Sequence, residues 1–134
     1  MPPDRYNSSK LMEVFVVREL VRQMQSSGPT SVIINAVNPG LCRSAFFRHA
    51  PLPLYLVMIL GLFILGRSSE VGSRTLLAGA AGGLETHGKY IDSCQVRDPS
   101  PFVLSEEGAE TQKRVYSQLL AVLEEIEPGI TKNI

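Results

Sequence analysis

With 134 residues, 44% of them hydrophobic and 19% charged, the chain is long enough to bury one core and too apolar for long-range disorder. Its 13 basic and 13 acidic residues cancel, the pI lies near 6.7 and no charged tail stands out, a balance that argues against nucleic acid as a partner. Cys42 and Cys94 lie far apart, and neither is at ligand spacing from His49 or His87, so no disulfide framework or metal motif is read and a reducing, cytoplasmic setting fits.

The opening residues MPPDRYNSSK hold no apolar run that could act as a signal peptide. From Tyr6 to Gln25 there is no proline or glycine, and Lys10, Val14, Val17, Val21 and Met24 recur at steps of three or four. This predicts a helix over 5–26. Leu11, Phe15, Val16 and Leu20 widen its apolar surface, while Arg18, Arg22 and Gln25 line the other side. Ser26-Ser27-Gly28-Pro29 stops it. Residues 31–37, rich in β-branched side chains and apolar on both alternations, predict a parallel strand buried on both faces, ending at the turn Asn38-Pro39-Gly40.

Segment 41–67 is irregular, with a short helix expected at 44–49. The apolar run Leu52–Leu65 that follows is interrupted by Pro53 and Gly61. It is shorter than the ~20 residues that cross a bilayer, which leaves a buried helix pair or an interfacial segment at a membrane surface. Ser68 or Ser69 caps a helix over 69–81, with Glu70 set against the dipole and Gly82-Gly83 beyond the end. A second strand is expected over 88–96, then a proline-rich bend at 98–101. Ser105 with Glu106 and Glu107 opens a last helix over 105–126, with Val115, Leu119, Val122 and Ile126 as its apolar stripe. The alternation of helix and strand reads as an α/β fold.

The sharpest chemical feature is Tyr6-Asn7-Ser8-Ser9-Lys10. Residues four apart share a helix face, so the phenol of Tyr6 and the ammonium of Lys10 project to one side. A cation beside a phenol favours the phenolate, and that makes a tyrosine usable as a general acid and base for an alcohol or carbonyl.

With the strand that follows, the Pro39-Gly40 turn and Ser44 five residues after the proline, this pattern resembles the short-chain dehydrogenase/reductase family. The stretches 67–75, 86–90 and 102–108, with Gln112 and Pro128-Gly129, are similar to the C-terminal portion of fungal, retinol-dehydrogenase-like members, so the likeness covers essentially the whole chain. The resemblance implies the C-terminal part of a Rossmann-type doubly wound parallel sheet and NADP or NAD as cofactor. It also implies oxidoreduction of a small, apolar alcohol or carbonyl substrate, of the kind met in fungal secondary metabolism. Tyr6 would be the acid/base. Lys10 would hold the cofactor ribose and lower the phenol's pKa. Pro39, Gly40 and Leu41 would lie beside the nicotinamide, at the strand end where open α/β sheets bind ligands. Ser44 would be a cofactor contact or, equally, a helix cap. The substrate-covering segment would be 41–67.

Family members also carry an N-terminal strand, a glycine-rich phosphate turn and a catalytic serine, none of which stands in these 134 residues. Gly79, Gly82 and Gly83 stand at the end of a helix instead of opening one after a strand. The expectation is a single partial domain over 1–134, lacking the dinucleotide-binding βαβ units and nearly inactive alone. The alternative is a non-catalytic remnant that binds another copy, a full-length relative, or a membrane surface through 52–65. A strand built to pair on both sides would have an open edge, so isolated chains are expected to associate or to form a molten state. Thermal scans with light scattering check this: a soluble monomer with a cooperative, high-enthalpy transition is the contrary result.

Overall fold

A computed structural model describes residues 3–28, 32–43 and 51–133. Helix α1 (Pro3–Ser27) is followed by strand β1 (Ala36–Asn38), helices α2 (Leu52–Leu65) and α3 (Ser69–Ala81), and a 3-10 turn at Leu84–Thr86. Strands β2 (Tyr90–Asp92) and β3 (Gln95–Arg97), the one-turn helix α4 (Pro101–Leu104), helix α5 (Glu106–Ile126) and a closing 3-10 turn at Ile130–Asn133 complete the order. This is an α/β arrangement, mostly helical, around a small sheet.

The sheet is mixed, not purely parallel. In the order β1-β2-β3, β1 pairs with β2 in parallel (Val37 opposite Ile91), and β2 pairs with β3 in antiparallel (Ile91 opposite Val96). The single strand expected over 88–96 is a hairpin. Ser93 and Cys94 turn it with φ of 54° and 64°, the left-handed pair that a two-residue hairpin loop requires and that asparagine or glycine usually supplies. Ser-Cys carries no such signal.

The strand expected over 31–37 also contracts, since β2 offers only three residues to pair with. Before it, residues 32–35 run extended, held by the turn before β2 and by helix α3: Gly88 N donates to Ile34 O at 2.7 Å, and Asn35 Nδ2 to Gly79 O at 2.9 Å. Val32 and Ile33 are exposed, so the segment is not buried on both faces.

Helix α3 starts where Ser68 Oγ accepts from Val71 N at 3.1 Å, and it lies close on β1 because Gly72, Thr75 and Gly79 form its buried face. A Cβ on Gly79 would come within 2.7 Å of Val37 Cγ2. The prolines before α2 start it instead of breaking it. Pro51 is the N-cap and Pro53 lies in the first turn, where the missing N–H has no intrahelical partner to lose. Nor is α2 half of a buried helix pair, because Leu62 is its one buried residue. The helix expected at 44–49 lies outside the described residues.

The core forms where α1 packs on α4 and α5. Phe15, Val21, Val103 and Tyr116 are buried, with the Phe15 and Phe102 ring centroids 6.2 Å apart. On α5, whose cap is Ser105 Oγ accepting from Gly108 N, the buried face is Gly108, Gln112 and Tyr116. Val122 and Ile126, expected in the core, are exposed. Between the helices sits Glu19, 2% exposed. Its carboxylate accepts from Arg22 NH2 at 2.5 Å and from Gln112 Nε2 at 2.9 Å, and Gln112 Oε1 accepts in turn from Arg18 Nε at 3.1 Å. The Arg22 hydrogen bond first, and Gln112 with it, hold the Glu19 carboxyl below the usual carboxylate range.

A carboxyl whose pKa falls on folding stabilises the fold above its unfolded value, about 4.3, and that contribution fades as pH drops through the lower folded value. Glu19→Gln is therefore expected to cost about 1–3 kcal/mol at pH 7. In urea unfolding, its deficit relative to the unmodified chain should shrink as pH falls below about 4. A deficit that does not change with pH would contradict the ion-pair assignment.

Candidate active site

The first turns of α1 place Tyr6, Ser9 and Lys10 along one side of a cleft of about 1120 Å³. Asn35 to Pro39, at and before the carboxyl end of β1, line it from a second side, and Tyr90 with Asp98 to Ser100 line it from a third. Val14, Val17, Val103 and Leu119 make much of the wall apolar. Lys10 Nζ stands 6.0 Å from the centroid of the Tyr6 ring, as a one-turn separation dictates.

The ammonium is engaged elsewhere as well. Glu13, one turn further on, accepts from Lys10 Nζ at 2.7 Å, and both side chains are more than half exposed. This hydrogen bond first, then the charges of Glu13 and Tyr6, hold the Lys10 pKa above its ordinary value. Lys10 is thus a cation through the whole neutral range, shared between a carboxylate and a phenol. Sequence reasoning missed Glu13, although its three-residue offset from Lys10 is itself a signal.

At the end of β1, Asn38 Oδ1 accepts from Gly40 N at 3.0 Å, a side-chain turn that sets the direction of the chain after Pro39. Gly40 adopts φ of +77°, left-handed backbone that favours glycine. An added Cβ there would face the Arg67 guanidinium at 3.6 Å. Leu41 O accepts from Arg67 N at 2.9 Å. The structure therefore brings Tyr6, Lys10 and Pro39 to one cleft, with Gly40 and Leu41 on the adjoining turn and outside the cleft lining. Ser44 lies outside the described residues.

Chemically, the cleft offers a phenol, a cation and a half-buried turn at the carboxyl end of a parallel strand, beside an apolar wall. That set suits the ribose and nicotinamide half of a dinucleotide: the ammonium can hydrogen-bond vicinal hydroxyls, and the apolar wall accepts a flat ring. It does not suit a pyrophosphate, because Lys10 is the one cation among the described lining residues and Glu13 and Asp98 lie with it. Among the described residues no cluster of His, Cys, Asp and Glu could hold a metal ion.

Among known proteins the chain is 44% identical to a short chain dehydrogenase/reductase of a Cryptosporiopsis species, over 97% of this chain and 39% of that protein. It is 35% identical to a short chain dehydrogenase of Gibberella zeae over 95% of this chain and 37% of the relative. A short-chain dehydrogenase of Penicillium roqueforti is 33% identical over 95% and 35% respectively. The chain thus spans well under half the length of the curated relatives it matches. No family model and no solved structure matches it.

Removing the Glu13 partner tests the description of Lys10. In Glu13→Gln, the Lys10 titration midpoint, followed by NMR of the side-chain carbons next to Nζ, is expected to move down toward the ordinary lysine value. An unmoved midpoint would mean that Glu13 does not govern this ammonium.

Proposed function

This chain belongs to the short-chain dehydrogenase/reductase family, and from that premise we propose that it carries the acid–base part of an NAD(P)-dependent oxidoreduction of an apolar alcohol or carbonyl. The observation that supports the reading is the pairing of Tyr6 and Lys10, one helical turn apart, on the cleft that the Asn38-Pro39 end of β1 also lines. When bound, the nicotinamide supplies or takes the hydride.

The protein's own groups then do the following. In the reducing direction Tyr6 gives its hydroxyl proton to the substrate oxygen, and in the oxidising direction the same oxygen takes a proton from the alcohol. Lys10 stabilises the phenolate that remains and, with two of its three N–H donors not used by Glu13, donates hydrogen bonds to ribose hydroxyls. Pro39, Gly40 and Leu41 form the surface beside the ring, with their course fixed by the Asn38 turn. The apolar wall excludes water from the reacting carbon and selects substrates with hydrocarbon bodies. The pyrophosphate falls to sequence of the kind that makes up the rest of the relatives' length.

A chimera tests this without presuming what flanks the chain. The 134 residues replace the segment they align with in the Cryptosporiopsis relative, and nicotinamide oxidation is followed spectrophotometrically with carbonyl substrates. Tyr6→Phe is expected to lower kcat roughly 10²–10⁴-fold with little change in KM. A folded chimera whose turnover survives Tyr6→Phe sinks the proposal.

A further inference from the structure

Helix α2 poses a solvation problem that the described chain leaves unsolved. It carries no charged side chain from Leu52 to Leu65, and only Leu62 is buried, with Tyr55 and Met58 half-covered on the same side. The exposed Leu54, Leu56, Val57, Ile59, Leu60 and Leu65 spread over roughly 240° of the circumference at about 100° per residue. A single docking face covers a stripe of order 100°, so covering all of these side chains takes either protein on several sides or a hydrocarbon phase. A fluid hydrocarbon phase covers them all.

Length and charge narrow the choice. Fourteen residues at 1.5 Å each make about 21 Å, short of the ~30 Å hydrocarbon core, and no helix among the described residues is long and apolar enough to cross a membrane. The helix can therefore lie within one leaflet only. Arg43 and Arg67 flank its carboxyl end: the Arg43 guanidinium donates to Leu62 O at 3.1 Å and Phe63 O at 2.7 Å and lies 5.3 Å from the Phe63 ring. Residues 20–69 contain no aspartate or glutamate, so the segment that carries α2 brings only cations, of which Arg67 also donates to Ser93 Oγ at 2.8 Å.

We propose that α2 docks this chain on an anionic lipid surface, with its apolar circumference among the outer acyl chains and Arg43 and Arg67 at headgroup level. The surface is read without turnover, so the proposal stands apart from the catalytic reading.

Flotation of the 134-residue chain with phosphatidylcholine vesicles, with and without a third of phosphatidylserine, tests it. Binding to the anionic vesicles is expected to be roughly tenfold or more stronger. Leu56→Glu/Leu60→Glu, at two exposed positions, should lower binding at least tenfold while far-UV circular dichroism is unchanged. The chain has no tryptophan, so Phe63→Trp adds a single reporter. Its emission should be exposed-like in buffer, shift to the blue with vesicles and be quenched by lipids brominated in the acyl chain. Absence of flotation, equal binding to neutral vesicles, or flotation indifferent to the double substitution would overturn the proposal. So would an emission already blue-shifted in buffer, which would assign the helix to a second copy of the chain.

Discussion

The carboxylate of Glu19 and the amide of Gln112 fix where α1 lies. Both are almost wholly out of water, on two helices that come from opposite ends of the chain, and each satisfies the other while Arg22 and Arg18 bind the remaining oxygens. A buried carboxylate without such partners would be costly, so α1 and α5 are held in one register along their contact as well as side by side. Tyr6 and Lys10 ride on the same helix, about two and a half to three and a half turns toward its N-terminus, and their position over the end of β1 follows from that register. Tyr116, beside this network, adds a constraint of its own. Its hydroxyl is buried without a hydrogen-bond partner among the described residues, and burial, with the nearby Glu19 charge, pushes its phenol pKa up, so it stays neutral.

The helices were the legible part of the sequence because their signals are local. Ser68 with Glu70 and Ser105 with Glu106 marked the starts of α3 and α5, and both serines accept the backbone hydrogen bond that a cap requires. The sheet was less legible, since strand limits depend on partners. The ladder of β1 stops where the β2–β3 turn begins, and nothing in Ser93-Cys94 advertises a turn. Residues 31–37 looked like a strand buried on both sides from their composition, yet composition cannot say how much partner chain is present. On α5 the apolar spacing pointed to Val122 and Ile126, while the contact with α1 selected Gln112 and Tyr116, where a polar network and an aromatic ring do the packing.

For the candidate site, spacing alone was enough to put Tyr6 and Lys10 on one face, and the strand-turn pattern was enough to put Pro39 near them. It did not reveal that Glu13 competes for the ammonium, nor that Asn38 steers the turn through its own side chain. Both are short-range polar contacts: the three-residue offset of Glu13 from Lys10 permits the first, and the backbone decides that it forms. The apolar run over 52–65 was visible from the start, but its outward placement was not, because an apolar helix ordinarily goes inside.

The parallel bridge between Cys42 and Arg67 brings the two ends of the 43–67 excursion against each other. Arg43 N donates to Arg67 O at 2.8 Å, Arg67 N to Leu41 O at 2.9 Å, and Ser69 Oγ to Arg43 O at 2.8 Å. The chain leaves the end of β1 and enters α3 through one pinched neck. Closing a loop grows costlier only slowly with its length, by about 0.6 kcal/mol for each doubling. Between ends pinned in this way a change of length carries a small closure cost, so the neck is a point at which the scaffold tolerates variation.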